Sequence, residues 1–76
     1  MQRLSTYKDY VIATSVLTLA GRPCEASFVV SERIGGADAA IIHTERLEKT
    51  FAWGSDARAA ATRAAQGYID SLRRRA

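Results

Sequence analysis

Residues 55–75 constrain the fold most. Ala57, Ala60, Ala61, Ala64, Tyr68 and Leu72 recur at spacings of three and four, the period of one face of an α-helix. Ala65 and Ile69 lie along the edge of this stripe, and Arg63, Gln66, Asp70 and Arg73 lie opposite it. Gly54-Ser55-Asp56 supplies a turn residue, an N-cap and a negative charge in the first turn, where unpaired N–H groups favour it. The pattern predicts a helix from Ser55 to Arg75. Its first half presents only small residues, so it must lie close to its partner surface, with Tyr68, Ile69 and Leu72 filling space where the two diverge. Asp70 precedes Arg74 by four residues, the favourable order for a helical ion pair of ~0.3 kcal/mol. Gly67 is discordant and costs about 1 kcal/mol relative to alanine unless a close contact requires it.

The partner surface reads as a sheet. Between Arg22 and Arg33, Cys24, Ala26, Phe28 and Val30 alternate with Glu25, Ser27 and Ser31, the period of a half-buried strand. A two-residue turn at Gly35-Gly36 would set Arg33 opposite Asp38, Val30 opposite Ile41, Phe28 opposite His43, Glu25 opposite Arg46 and Cys24 opposite Leu47. A turn centred on Gly21-Arg22 would set Leu19 opposite Cys24, Leu17 opposite Ala26 and Ala13 opposite Val30. The expected fold is α+β: a three-stranded antiparallel sheet followed by one C-terminal helix on one face, β-β-β-α, in a single small domain over residues 1–76. The expected inner face holds Val11, Ala13, Leu17, Leu19, Cys24, Ala26, Phe28, Val30, Ile41 and Leu47. Phe51 and Trp53 would close its end, and the strand from Ala39 to about Phe51 is long enough to hold a bulge near Glu45 or Lys49.

This register leaves Tyr10, Ile12, Val16, Val29 and Ile42 on the opposite face, with no second helix to cover them. An uncovered apolar sheet face marks an interface, and an edge strand offers a second route by strand addition. These five residues are the candidate interface for a homodimer or a protein partner.

Size and composition narrow the function classes. At 76 residues the chain is near the lower limit for a single apolar core and has little room for a deep pocket. Cys24 is the sole cysteine, so no internal disulfide can form, and a reducing cytoplasm is the expected location. The opening residues lack the apolar run of a signal peptide, and no apolar stretch is long enough to span a bilayer.

The net charge is +3, a value equal to the contribution of Arg73, Arg74 and Arg75. Cations in a last helical turn are what the helix dipole favours. Arg58, Arg63, Arg73, Arg74 and Arg75 are nevertheless the candidate contacts for a nucleic acid.

Chemistry-bearing motifs are sparse. His43, the single histidine, falls several residues from the position opposite Cys24, which separates the pair a thiol nucleophile would need. His43 and Glu45 share a face, a spacing common by chance. One cysteine and one histidine do not make a tetrahedral metal set. Gly35-Gly36 lacks the lysine and serine of a phosphate loop. No catalytic, cofactor or metal residue is assigned, and an enzyme is not expected.

Three strands leading through Phe51 into an alanine-rich helix with Tyr68-Ile69-Asp70 resemble short proteobacterial proteins of unknown function, a resemblance that implies a fold and no activity. Gly54-Ser55 followed by Ala60, Ala61, Ala64 and Ala65 resembles the C-terminal part of double-stranded RNA-binding domains. That likeness implies contact with A-form RNA, although Asp56 and Ala57 stand where that family carries adjacent lysines. Two functions follow as expectations. The first is a non-enzymatic interaction module that self-associates through the sheet face or edge; the second is weak, non-specific nucleic-acid binding by the helix and C-terminal arginines.

Overall fold

The structure is a computed structural model that describes residues 2–32 and 40–75. It is an α+β fold. Strands β1 (Gln2–Tyr7), β2 (Tyr10–Leu17), β3 (Glu25–Glu32) and β4 (Ile41–Arg46) precede one helix, α1 (Gly54–Arg75). The strands form one antiparallel sheet in the order β1-β2-β3-β4.

The sheet thus has one strand more than the sequence predicts. β1 carries no apolar alternation, and its turn lacks the usual Asn-Gly signal. Lys8 and Asp9 take that turn instead, with φ of 47° and 71°. Positive φ at both central residues is what a tight hairpin needs; aspartate tolerates it better than most residues, whereas lysine does not favour it. Two contacts from the helix hold the turn. Lys8 Nζ donates to Asp70 at 2.8 Å, and Tyr7 OH donates to both Asp70 carboxylate oxygens at 3.0 and 3.1 Å.

The helix matches its expected span to within one residue. Its first hydrogen bond runs from Ala57 N–H to the Trp53 carbonyl at 3.1 Å, so Ser55 sits within the first turn and does not cap it. Ala57, Ala61, Ala65 and Ile69 are fully buried, a row at spacing four, while Ala60, Ala64, Tyr68 and Leu72 flank it half-buried. Methyl-sized side chains let the helix lie directly on β2 and β3. There it covers Ile12, Cys24, Ala26, Phe28 and Val30. Phe51 packs against this core and pairs with Cys24 through two backbone hydrogen bonds of 2.7 and 2.9 Å. Trp53 does not close the core's end; it is 70% exposed.

Both hairpin registers differ from expectation. β2 pairs with β3 as Ile12↔Val30, Thr14↔Phe28 and Val16↔Ala26, one residue away from the predicted alignment. A shift of one turns every side chain of a strand to the other face. The cause lies in residues 18–24. Pro23 has no N–H to give a ladder, and the turn closes from Arg22 N–H to the Leu19 carbonyl at 3.0 Å, with Gly21 at φ 75°. Paired strand begins again only at Glu25. Val11, Ala13, Leu17 and Leu19 are therefore not core residues, and Ile12 and Thr14 are.

β3 pairs with β4 as Val30↔His43 and Phe28↔Glu45, two residues from expectation, so β3 keeps its faces while its partners change. The bulge lies between Val30 and Ser31, at Ile42, not near Glu45 or Lys49. Ile41, expected inside, pairs with Ser31 on the outer face and is 67% exposed. The turn predicted at Gly35-Gly36 and the pairing of Arg33 with Asp38 lie outside the described residues.

Candidate functional site

The helix covers one face of the sheet; among the described residues, nothing covers the other. The register assembles that outer face in cross-strand rows. Leu4, Ala13, Val29 and Thr44 form one row, and Thr6, Val11, Ser31 and Ile41 the next. Leu17 adds an apolar end near the ion pair of Arg46 and Glu25, whose charged atoms are 3.7 Å apart. Leu4 and Ile41 are each 67% exposed and Leu17 is 53% exposed. Val11, Ala13 and Val29, shielded by their neighbours, are half-buried.

Of the five residues predicted for this face, Val29 is there. Tyr10, Ile12 and Val16 are turned toward the helix by the register shift, and Ile12 is fully buried. Ile42 is displaced by its bulge into a shallow hollow with Tyr10, Glu32 and Arg73 on the helix side. Leu4, Val11, Ala13, Leu17 and Ile41 are the other apolar residues of this face, set among Thr6, Ser31 and Thr44 and beside a polar row of Gln2, Ser15, Ser27 and Arg46. Pro23 was the available signal, because a proline beside a two-residue turn cannot extend the ladder.

The arginines divide into two groups. Arg58 is half-buried, and its Nη1 donates to Thr14 Oγ1 at 2.9 Å. Thr14 is the one polar residue in the described core, and its hydroxyl in turn donates to the Arg3 carbonyl at 3.4 Å. Arg63 lines a groove shared with Arg58 and Arg3. Arg73 and Arg74 lie in the last turns, with Arg73 Nη1 3.9 Å from Asp9 Oδ2. A rise of 1.5 Å per residue separates Arg63 from Arg73 by about 15 Å. Nothing in the fold draws the two groups into one track. The Arg75 side chain lies outside the described residues.

His43 Nε2 and Glu45 Oε1 are 2.9 Å apart at the sheet edge, and the His43 ring stacks on Tyr68 with centroids 4.0 Å apart and planes 13° from parallel. The ring serves as packing between β4 and the helix. Cys24 is buried, with its sulfur 3.6 Å from Thr18 Oγ1. No contact joins it to His43. No family model, curated protein or solved structure matches the chain. Its architecture and surfaces are therefore what bear on its function. Among the described residues, no helix is long and apolar enough to cross a membrane.

Proposed function

We propose that this chain is a small non-enzymatic interaction module of the cytoplasm, which pairs with a second copy of itself through the outer face of its sheet. The observation that carries the proposal is that Leu4, Leu17 and Ile41, each more than half exposed, all lie on the face of the sheet opposite the helix. Two strands of eight residues and two of six, about 4.8 Å apart and about 27 and 20 Å long, present roughly 450 Å². A symmetric pair would bury about 900 Å² in total, just under the roughly 1,000 Å² of a specific interface, so the dimer should be weak and dissociate in the micromolar range or above. Ala13 leaves a dip between Leu4 and Val29 in one row, which suits a twofold arrangement where a leucine of one copy fills the dip of the other.

The free edge of β1 is the less favoured route. Arg3 lies within that edge strand, and a charge there opposes strand addition. Weak nucleic-acid binding by all five arginines has less support as well, since Arg63 and Arg73 are about 15 Å apart along the helix and Arg73 lies beside Asp9.

Sedimentation equilibrium across a concentration series tests the proposal. Val29→Glu and Leu4→Glu should each yield a soluble monomer with unchanged helix content. A wild-type chain that stays monomeric up to about 1 mM, a limit of roughly 4 kcal/mol of association free energy, would sink the idea.

A further inference from the structure

Because α1 lies over β2 and β3, the helix-side face of β1 is left open at Arg3 and Ser5, while Tyr7 reaches Asp70 at the far end of the helix, and a groove of about 600 Å³ runs between the open part of β1 and the start of the helix. Arg3 and Ser5 line it from β1; Ser55, Arg58 and Arg63 line it from α1. Every ionisable side chain in the lining is an arginine, and no carboxylate shares it. Arg3 and Arg63 have no ion-pair partner among the described residues. Arg58 is fixed in place by its 2.9 Å bond to Thr14 Oγ1, and so costs little further order on meeting a ligand.

We infer that this groove binds a small organic phosphate monoester, with the phosphate held by Arg3, Arg58 and Arg63. Three arginine side chains line one groove with no carboxylate among them, and a doubly charged anion there would accept their forked hydrogen bonds. The Ser5 and Ser55 hydroxyls add donors to the same oxygens. A phosphate alone fills a small part of such a volume, which leaves room for an organic body against the Ala59 methyl. A nucleic-acid strand fits less well, because Arg73 and Arg74 are carried away to the far end of the helix and continue no track from Arg63. The groove is on the face opposite the proposed dimer surface, so neither reading depends on the other.

Adenosine monophosphate is a suitable probe, titrated into the full chain and followed by backbone amide chemical shifts. Saturable shifts should centre on Ser5, Ser55, Arg58 and Arg63, inorganic phosphate should compete at the same amides, and adenosine should leave them unmoved. The double variant Arg3→Gln/Arg63→Gln, exposed at both positions, should bind at least about tenfold more weakly with its thermal midpoint unchanged, whereas Arg73→Gln should bind like the wild type. Three results would overturn the inference: no shift at about 10 mM nucleotide, equal loss of binding in Arg73→Gln, or binding confined to a duplex RNA and dependent on Arg73 and Arg74.

Discussion

Lys8 Nζ meets Asp70 Oδ1 at 2.8 Å, and this contact joins the tight turn between the first two strands to the last turns of the helix, 62 residues later in the chain. The Tyr7 hydroxyl shares the same carboxylate. Asp70 was expected to pair along the helix with Arg74; it reaches the sheet instead, and Arg74 adds only a minor attraction. Lys8 and Asp9 hold left-handed backbone, which aspartate tolerates and lysine disfavours, so the Asp70 carboxylate acts as a clasp on the less favourable half of the turn.

The clasp predicts a pH dependence. The hydrogen bond from Lys8, followed by that from Tyr7, lowers the Asp70 pKa below the ordinary carboxylate value. A depressed pKa means that the stabilisation is present above the unfolded value and is lost as pH falls through the folded one, below about pH 4. The bond to Asp70 likewise raises the Lys8 pKa. That contribution is complete below the ordinary lysine value and is lost only as pH rises beyond it, above about 10.5. Asp70→Asn should lower the urea midpoint at pH 7 and shrink the difference between the midpoints at pH 7 and pH 3. A variant whose acid sensitivity matches the wild type would show that the clasp contributes nothing.

The register of β2 makes a second prediction, and it marks where the sequence stopped being legible. Val11 and Ile12 are neighbours of similar apolar character, and nothing in their own chemistry says which faces the helix. Periodicity identified the helix to within a residue and the faces of β3 correctly, because both patterns are internal to one element. The facing of β2 depends on loop length. One residue more or less between Leu17 and Glu25 exchanges its two sides, and the closing geometry of Gly21 and Pro23 decides it. β1 was illegible for another reason: it is exposed along nearly its whole length and so carries no burial pattern to read. Ile12→Ala should therefore cost about 2–5 kcal/mol, and Val11→Ala less than about 1 kcal/mol. Equal costs in chemical denaturation would point to the opposite register.

The helix makes a pair of predictions of opposite sign. Ala61 is fully buried against the sheet, so Ala61→Leu should destabilise by about 1–3 kcal/mol through overpacking, or more if the helix lifts from β2 and β3. Gly67 is exposed on the other side, where an added Cβ would meet no atom within 4 Å. No close contact requires a glycine there. Gly67→Ala should stabilise by about 0.5–1 kcal/mol, the difference in helix propensity, in the same denaturation assay. A destabilising Gly67→Ala would mean that this stretch of the helix faces something other than solvent, and a second copy would be the first candidate.

Thr14 carries the last prediction, because it is a polar residue in a core this small. Its hydroxyl accepts from Arg58 Nη1 at 2.9 Å and donates to the Arg3 carbonyl at 3.4 Å, which ties the helix to the two strands beside the arginine groove. Thr14→Val keeps the shape and removes both bonds. The guanidinium then loses a partner at a half-buried position, at a cost of about 1–3 kcal/mol. In a double-mutant cycle with Arg58→Met, the two substitutions should be coupled by about 1–2 kcal/mol, since each removes one end of the same side-chain bond. Additive effects would show that the bond is incidental to stability. They would also remove the restraint that places Arg58 in the groove before any ligand arrives, so this cycle measures how far the proposed phosphate site is built in advance.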